Sequence, residues 1–163
     1  MTATDPMPAR KVLVLGVGNT LLQDDGLGVH VARRLRARPR VDTRATIIDG
    51  GTLGLSLLPD VEASAGFIVI DAAELGEPPG TVRVFEDTAM DRQLSGRKRS
   101  VHEVAVADLL AAATLTGHAP TPRALVAIQP RSTDWGLEPT AEASAAIESA
   151  AAAVSDVIER WST

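Results

Sequence analysis

The chain has 163 residues, and 45% of them are apolar, which is enough for one domain with a substantial core. A formal charge of -5, with 16 basic residues spread along the chain, argues against nucleic acid as a partner. Cysteine is absent, so disulfides, thiolate metal sites and a cysteine nucleophile are excluded, and any metal ligand must be His, Asp or Glu.

The N-terminal segment does not resemble a signal peptide, because residues 1–10 combine an acid with two prolines. Apolar runs stay shorter than the roughly 18 residues that indicate a membrane span. We therefore predict a cytoplasmic protein that is one domain over residues 1–163. Residues 1–10 are expected to form a flexible tail, and no membrane partner is expected.

Four short, nearly continuous apolar runs are typical of strands buried on both faces, and they favour a mostly parallel sheet. These runs cover residues 11–17, 45–49, 66–72 and 123–130. Residues 81–87 instead alternate apolar with polar side chains after the turn sequence GEPPG, which predicts an antiparallel edge strand. The sheet is therefore expected to have about five strands.

Helical patterns lie between and after these strands. Apolar residues recur every four positions over 27–35, and a longer apolar stripe runs through 147–161. A third helix is predicted to begin at the capping box formed by Ser100 and Glu103 and to end before Gly117. Helices on both faces of a parallel sheet make a three-layer α/β/α sandwich.

The segment 87–100 is polar and is predicted to be a mobile surface loop. It contains the basic cluster RKR at 97–99. In an acidic chain this cluster is a candidate docking element for a partner protein.

Polar side chains gather where the predicted strands end. The carboxyl ends of parallel strands share one rim, which is where ligands of open α/β sheets bind. The residues at these positions are Asp24, Asp25, Asp49, Asp71, Gln129 and Asp134.

His102 joins this rim if its helix begins on the same side. In the first helical turn the positive end of the helix dipole disfavours imidazolium, so the ring would stay neutral and able to bind a cation. Two carboxylates and one imidazole suit a borderline divalent first-row metal, although these ligand types do not distinguish nickel from zinc.

Simpler interpretations exist for most of these residues. Asp24 or Asp25 would serve as an N-cap of the helix at 27–35, and Asp49 with the glycines after it would shape a turn. Asp71 is harder to explain in this way, because an acid that ends an apolar strand needs a partner or a cation if it is buried.

The sequence GVGNTL resembles half of a dinucleotide-binding fingerprint. However, Leu21 replaces the third glycine, and the two acids that follow would repel a pyrophosphate. A nucleotide-binding domain is therefore a weak alternative, and no G-x-S-x-G element supports a serine hydrolase.

Taken in order, LGVGNTLLQDDGLGVHVARRL, IIDGGTLGLSLL, IVIDAAELGEPPGTV, SVHEVAVADLLAAATLTG and VAIQP resemble the hydrogenase maturation endopeptidase family of nickel–iron hydrogenase assembly. The resemblance extends from about residue 11 to residue 158. It implies an endopeptidase that removes a C-terminal extension from a hydrogenase large-subunit precursor once nickel, carried by that precursor, is in place. The alternative is a maturation chaperone that senses nickel without cutting.

Carried over by position, the resemblance places the family's nickel ligands on Asp25, Asp71 and His102. Asp25 stands where some members have Glu. The resemblance further suggests Asp49 and Asp24 as catalytic residues, with a substrate-positioning role as the alternative for Asp49 and a place beside the metal ligands for Asp24.

Three further positions are expected to contact substrate. Gly50 and Gly51 would allow close approach of a peptide, and Trp135 would help to select the precursor. The protein is expected to be a monomer that binds nickel weakly on its own.

Overall fold

A computed structural model describes residues 6–38, 43–51, 54–96 and 100–163. Five strands form one sheet in the order β2-β1-β3-β5-β4, in which β4 alone is antiparallel to its neighbour. The strands are β1 (Val12–Val17), β2 (Ala45–Gly51), β3 (Gly66–Ala72), β4 (Val82–Glu86) and β5 (Arg123–Ile128). The predicted mostly parallel sheet with one antiparallel edge strand is confirmed.

The described helices are α1 (Leu27–Arg36), α2 (Leu58–Ala63), α3 (Thr88–Leu94), α4 (Val101–Leu115), α5 (Ala141–Ser144) and α6 (Ile147–Trp161). The apolar sides of α1 and α6 pack against one face of the sheet, and α2, α3 and α4 pack against the other. All seven residues of β3 are buried, because helices cover this central strand on both sides. The three-layer arrangement predicted from the sequence is confirmed.

Helix α1 lies unusually close to the sheet at Gly28. A Cβ atom built there would be 2.1 Å from the carbonyl oxygen of Ile70 and 2.4 Å from that of Val17. Only glycine allows this approach. It brings the beginning of α1, and the turn that precedes it, against the carboxyl ends of β1 and β3.

Both ends of α4 carry the signals expected from the sequence. The Ser100 hydroxyl accepts a hydrogen bond from the amide of Glu103, whose carboxylate accepts one from the amide of Ser100. At the other end Gly117 has a φ of 77°, and the amides of Gly117 and His118 donate to the carbonyls of Thr114 and Ala113. The predicted start and end of this helix are confirmed.

The prediction of a surface loop over 87–100 is wrong for its first half. Residues 88–94 form α3, in which Met90 is fully buried and Leu94 is 3% exposed. These two side chains are four residues apart and pack under α4, so two apolar anchors hold a helix that is otherwise polar. The basic cluster at 97–99 lies outside the described residues.

The segment before β1 is attached to the domain at Arg10. Its guanidinium donates hydrogen bonds to the carbonyls of Glu62, Ala63 and Ser64. Arg10 therefore belongs to the folded body rather than to the tail predicted for residues 1–10. Within the described residues, every helix is too short or too polar to cross a membrane.

Candidate functional site

Asp25 and His102 meet at the rim of the sheet. Asp25 lies in a 3-10 turn over Gln23–Gly26 that precedes α1, and His102 lies in the first turn of α4. Oδ2 of Asp25 is 3.0 Å from Nε2 of His102 and accepts a hydrogen bond from the amide of Asn19 at 3.1 Å. The two side chains are 19% and 12% exposed, so their contact is largely shielded from solvent.

The pKa of Asp25 reflects two opposing effects. Burial raises it, but the hydrogen bond from His102, the charge of His102 and the amide of Asn19 together lower the pKa below its usual value. Asp25 is therefore an ionised carboxylate at neutral pH, and its pair with His102 is a polar contact between the first turn of α4 and the turn after β1.

Asp71 lies near this pair and is unusual in having no partner. The residue is 1% exposed, and neither carboxylate oxygen has a hydrogen-bond partner of acceptable geometry. Burial, followed by the negative charges of Glu103 and Asp25, raises the pKa of Asp71 well above its usual value, and the amide of Ala72 opposes this effect only in part. The carboxyl group of Asp71 is thus buried without a hydrogen-bond donor or a positive charge to stabilise its ionised form.

Such a carboxylate suits a cation that arrives from outside the chain. A buried acid without a partner costs free energy that a positive charge would recover. Within the described ranges, no three His, Asp or Glu side chains already stand as a metal centre. A cation would have to replace the hydrogen bond between Asp25 and His102, and it would displace the proton that the raised pKa favours on Asp71.

Asp24 performs a different task from its neighbour. It is inaccessible to solvent, and its carboxylate accepts hydrogen bonds from the amides of Arg131, Ser132 and Thr140 and from the Thr140 hydroxyl. Burial raises its pKa, but these four donors together lower it below the usual value. Asp24 therefore holds the segment after β5 in place. Neither Asp24 nor Asp25 caps α1, so the capping interpretation is wrong.

The structure does not bring Asp49 into contact with the other acids. Its Oδ2 pairs with Nε of Arg33 in α1 at 3.0 Å. Side chains alternate along a strand, and Ile47 packs on the face covered by α1, so Asp49 points to that face. Asp71 follows Phe67 and Val69 on the opposite face, the side of α4. The sheet separates the two carboxylates.

The two glycines after Asp49 also differ from each other. A Cβ atom at Gly50 would be 2.7 Å from Leu15, so its missing side chain makes room for the core. Gly51 has a φ of 48° and open space where a Cβ would be. The space beside the Gly51 Cα is therefore free, whereas the space beside the Gly50 Cα is filled by the core.

The residues that follow β5 differ in their exposure to solvent. Gln129 is 4% exposed and ties the loop after β3 through Leu75, Glu77 and Glu74. Asp134 is exposed on the segment that Asp24 holds, and its amide donates to the Ser132 hydroxyl. The neighbouring Trp135 is 81% exposed.

Sequence reasoning missed Glu103 as part of the acidic surroundings of Asp71. The capping box already accounts for a glutamate at position 103, so nothing in the sequence indicated that the charge of Glu103 also acts on Asp71. It also missed Asn19 and Thr140, whose polar groups reach Asp25 and Asp24. Contacts between residues this far apart in the chain leave no local signal.

Comparison with known proteins identifies the family. The family model described as hydrogenase maturation protease matches residues 29–157, most of the chain. The chain belongs to the hydrogenase maturation protease family. The matched range contains Asp71 and His102, whereas Asp25 lies just before it.

Individual relatives match a larger share of the chain than the family model does. HoxM of Cupriavidus necator, a hydrogenase expression/formation protein, is 35% identical over 151 residues, which cover 92% of this chain and 75% of HoxM. The hydrogenase 2 maturation protease of Escherichia coli is 38% identical over 136 residues, 82% of each chain.

The solved structure of the E. coli hydrogenase maturating endopeptidase HybD has the same fold. It superimposes with a TM-score of 0.86 and 33% identity over 92% of this chain and 93% of its own. The chain is therefore a peptidase of the hydrogenase maturation protease fold.

Proposed function

We propose that this peptidase removes the C-terminal extension of a nickel–iron hydrogenase large-subunit precursor that already carries nickel. The single observation that carries the proposal is Asp71, a buried carboxylate without a partner beside the pair formed by Asp25 and His102. A metal-loaded precursor would supply the positive charge that this site lacks.

The nickel in this proposal is part of the substrate, and Asp25, Asp71 and His102 bind it as the precursor docks. Two carboxylates and one imidazole suit a divalent first-row metal, and cysteines of the precursor would supply the remaining ligands. Binding through these three ligands would place the scissile peptide at the rim and so lower the entropic part of the barrier to cleavage. The bound metal would also polarise a carbonyl or activate a water molecule.

The alternative of a phosphate-binding loop finds no support at the turn after β1. The amide of Asn19, which a phosphate would need, is already bound by the Asp25 carboxylate. The turn also presents a negative charge to any ligand that approaches it.

A direct test separates a protease from a nickel-sensing chaperone. The purified protein is incubated with nickel-loaded precursor and, separately, with metal-free precursor, and the mass of the large subunit is measured over time. We expect a loss of mass equal to the extension in the loaded sample only. Binding of loaded precursor without any change of mass would support the chaperone and contradict the proposal.

His102→Gln is the matched variant for this assay, because it keeps a polar side chain at the rim but lacks the imidazole. We expect cleavage to fall at least about a hundredfold, since even outer-shell changes at metal sites cost 10- to 100-fold. His118→Gln, in the turn after α4, is the control at the other end of the same helix and should cleave normally.

A further inference from the structure

The segment 131–140, between β5 and α5, forms an arm across the end of the domain. Its middle is attached to the turn after β1. The amide of Gln23 donates to the carbonyl of Gly136 at 2.9 Å, and the amide of Gly136 donates to the carbonyl of Leu21 at 3.0 Å. Leu22 and Gly136 pair as an isolated parallel bridge.

Asp24 fixes the two ends of this arm. Its buried carboxylate accepts hydrogen bonds from the amides of Arg131 and Ser132 at the start of the arm and from Thr140 at its end, at distances of 2.7 to 3.2 Å. A loop of ten residues is thus closed at its base by one side chain and attached at its centre by a backbone bridge.

This fixed arm presents apolar side chains to solvent. Trp135 is 81% exposed, Leu137 is 69% exposed, and Leu21 on the facing turn is 47% exposed. Trp is among the residues most enriched at the central anchors of protein interfaces, and a group of exposed apolar side chains around it marks an interaction surface. Holding them in advance also reduces the entropy lost on binding.

We infer that the arm 131–140 is a docking surface for an apolar segment of the precursor, and that Asp24 is the positioning residue that sets its distance from the metal-binding acids. The inference rests on the proposed function. Asp24 and Asp25 are consecutive in one 3-10 turn, so a displacement of the arm base would be transmitted directly to the Asp25–His102 pair.

The precursor is the favoured occupant because the arm is continuous with the site it must reach. Leu21 is two residues from Asn19, whose amide binds Asp25. The amide of Gly136 in the arm donates to the carbonyl of Leu21, so the exposed apolar side chains and the Asp25 carboxylate are held by the same turn. A second copy of this chain would cover the same surface and block that approach.

The test measures binding and cleavage separately with the full chain and nickel-loaded precursor. Trp135→Ala and Leu137→Ala are compared with Leu115→Ala, whose side chain is 89% exposed at the far end of α4 from His102. We expect the KM for cleavage to rise at least about tenfold in the two arm variants, with kcat within about twofold of the wild type. The Leu115 variant should behave as the wild type.

Tryptophan fluorescence can measure the environment and the mobility of the arm, because the chain has only two tryptophans and one of them, Trp135, lies in the arm. In a Trp161→Phe background, addition of loaded precursor should shift the Trp135 emission to shorter wavelength as water is excluded. In the same background Asp24→Asn should lower the anisotropy of Trp135 and raise KM, because an amide cannot accept all four hydrogen bonds. Thr140→Val removes only the hydroxyl donor and should give a smaller change of the same kind.

Several results would overturn the inference. If the wild type cleaves the precursor and both arm variants keep the wild-type KM, the docking role fails and the proposed function stands. If Asp24→Asn lowers kcat at unchanged KM, Asp24 acts in the chemistry instead of in positioning. Sedimentation that shows a dimer dissolved by Trp135→Ala would assign the surface to a second copy. Failure of the wild type to cleave loaded precursor would remove both proposals.

Discussion

Asp71→Asn is expected to make the free protein more stable at neutral pH while it removes processing. The substitution keeps the size of the side chain and removes the acid, which is buried without a hydrogen-bond partner. Because burial and the charges of Glu103 and Asp25 raise the pKa, the folded chain holds a proton on Asp71 that the unfolded chain releases above its usual pKa of about 3.8.

The sign and size of the effect follow from proton linkage. Between the unfolded and folded pKa values the native state binds more protons, so the stability of the wild type falls as pH rises through this range. The limiting slope for one proton is about 1.4 kcal/mol per pH unit. For a chain of this length, 1 kcal/mol corresponds to about 2–4 °C in the melting temperature.

Urea unfolding of the metal-free protein at several pH values between 4 and 7.5 measures this difference. The stability of Asp71→Asn minus that of the wild type should increase with pH, and Asp108→Asn, an exposed substitution on α4, is the control for the loss of one carboxylate. A difference that stays constant with pH would mean that Asp71 is not protonated in the native state, and the reasoning from its missing partner would be refuted.

Three further substitutions test the parts of the fold that position the site. Ser100→Ala removes the cap of α4 and should cost about 1 kcal/mol in thermal unfolding. Gly28→Ala places a Cβ 2.1 Å from the Ile70 carbonyl and should abolish soluble expression, whereas Gly54→Ala, with no close neighbour, should express normally. Met90→Ala should cost about 2–5 kcal/mol in chemical denaturation, because it leaves a cavity under α4; a value near zero would contradict the assignment of α3 as a packed helix.

Secondary structure is easy to predict from the sequence where a whole element is buried, and hard to predict where the element is held by a few contacts with residues distant in the chain. Strand β3 is apolar over its full length because helices cover both of its faces, and its predicted and observed bounds coincide. Helix α3 was missed because only Met90 and Leu94 anchor it among polar residues. Its helical state is decided by packing under α4 rather than by a local pattern.

The acids at the rim show the same limit. Their position at strand ends follows from the sequence, but the direction of each side chain does not. Side chains alternate between the two faces of a strand. Asp49 shares its face with Ile47, which packs toward α1, whereas Asp71 shares its face with Val69, which packs toward α4. Asp24 and Asp25 differ because Asp24 finds its partners more than 100 residues away, at Arg131, Ser132 and Thr140.

The arrangement around Asp71 also explains how a protease of this kind would reject an unfinished substrate. Specificity is a difference between two binding free energies, and an interaction that only one substrate can make sets that difference. Under the proposed function, loaded precursor gains the contact of a cation with Asp71, whereas metal-free precursor leaves the carboxylate buried and protonated. The pair of Asp25 with His102 strengthens this distinction, because a metal must displace it and a peptide alone has no reason to. The free-energy cost of burying Asp71 without a partner would thus become the basis of discrimination when loaded precursor binds.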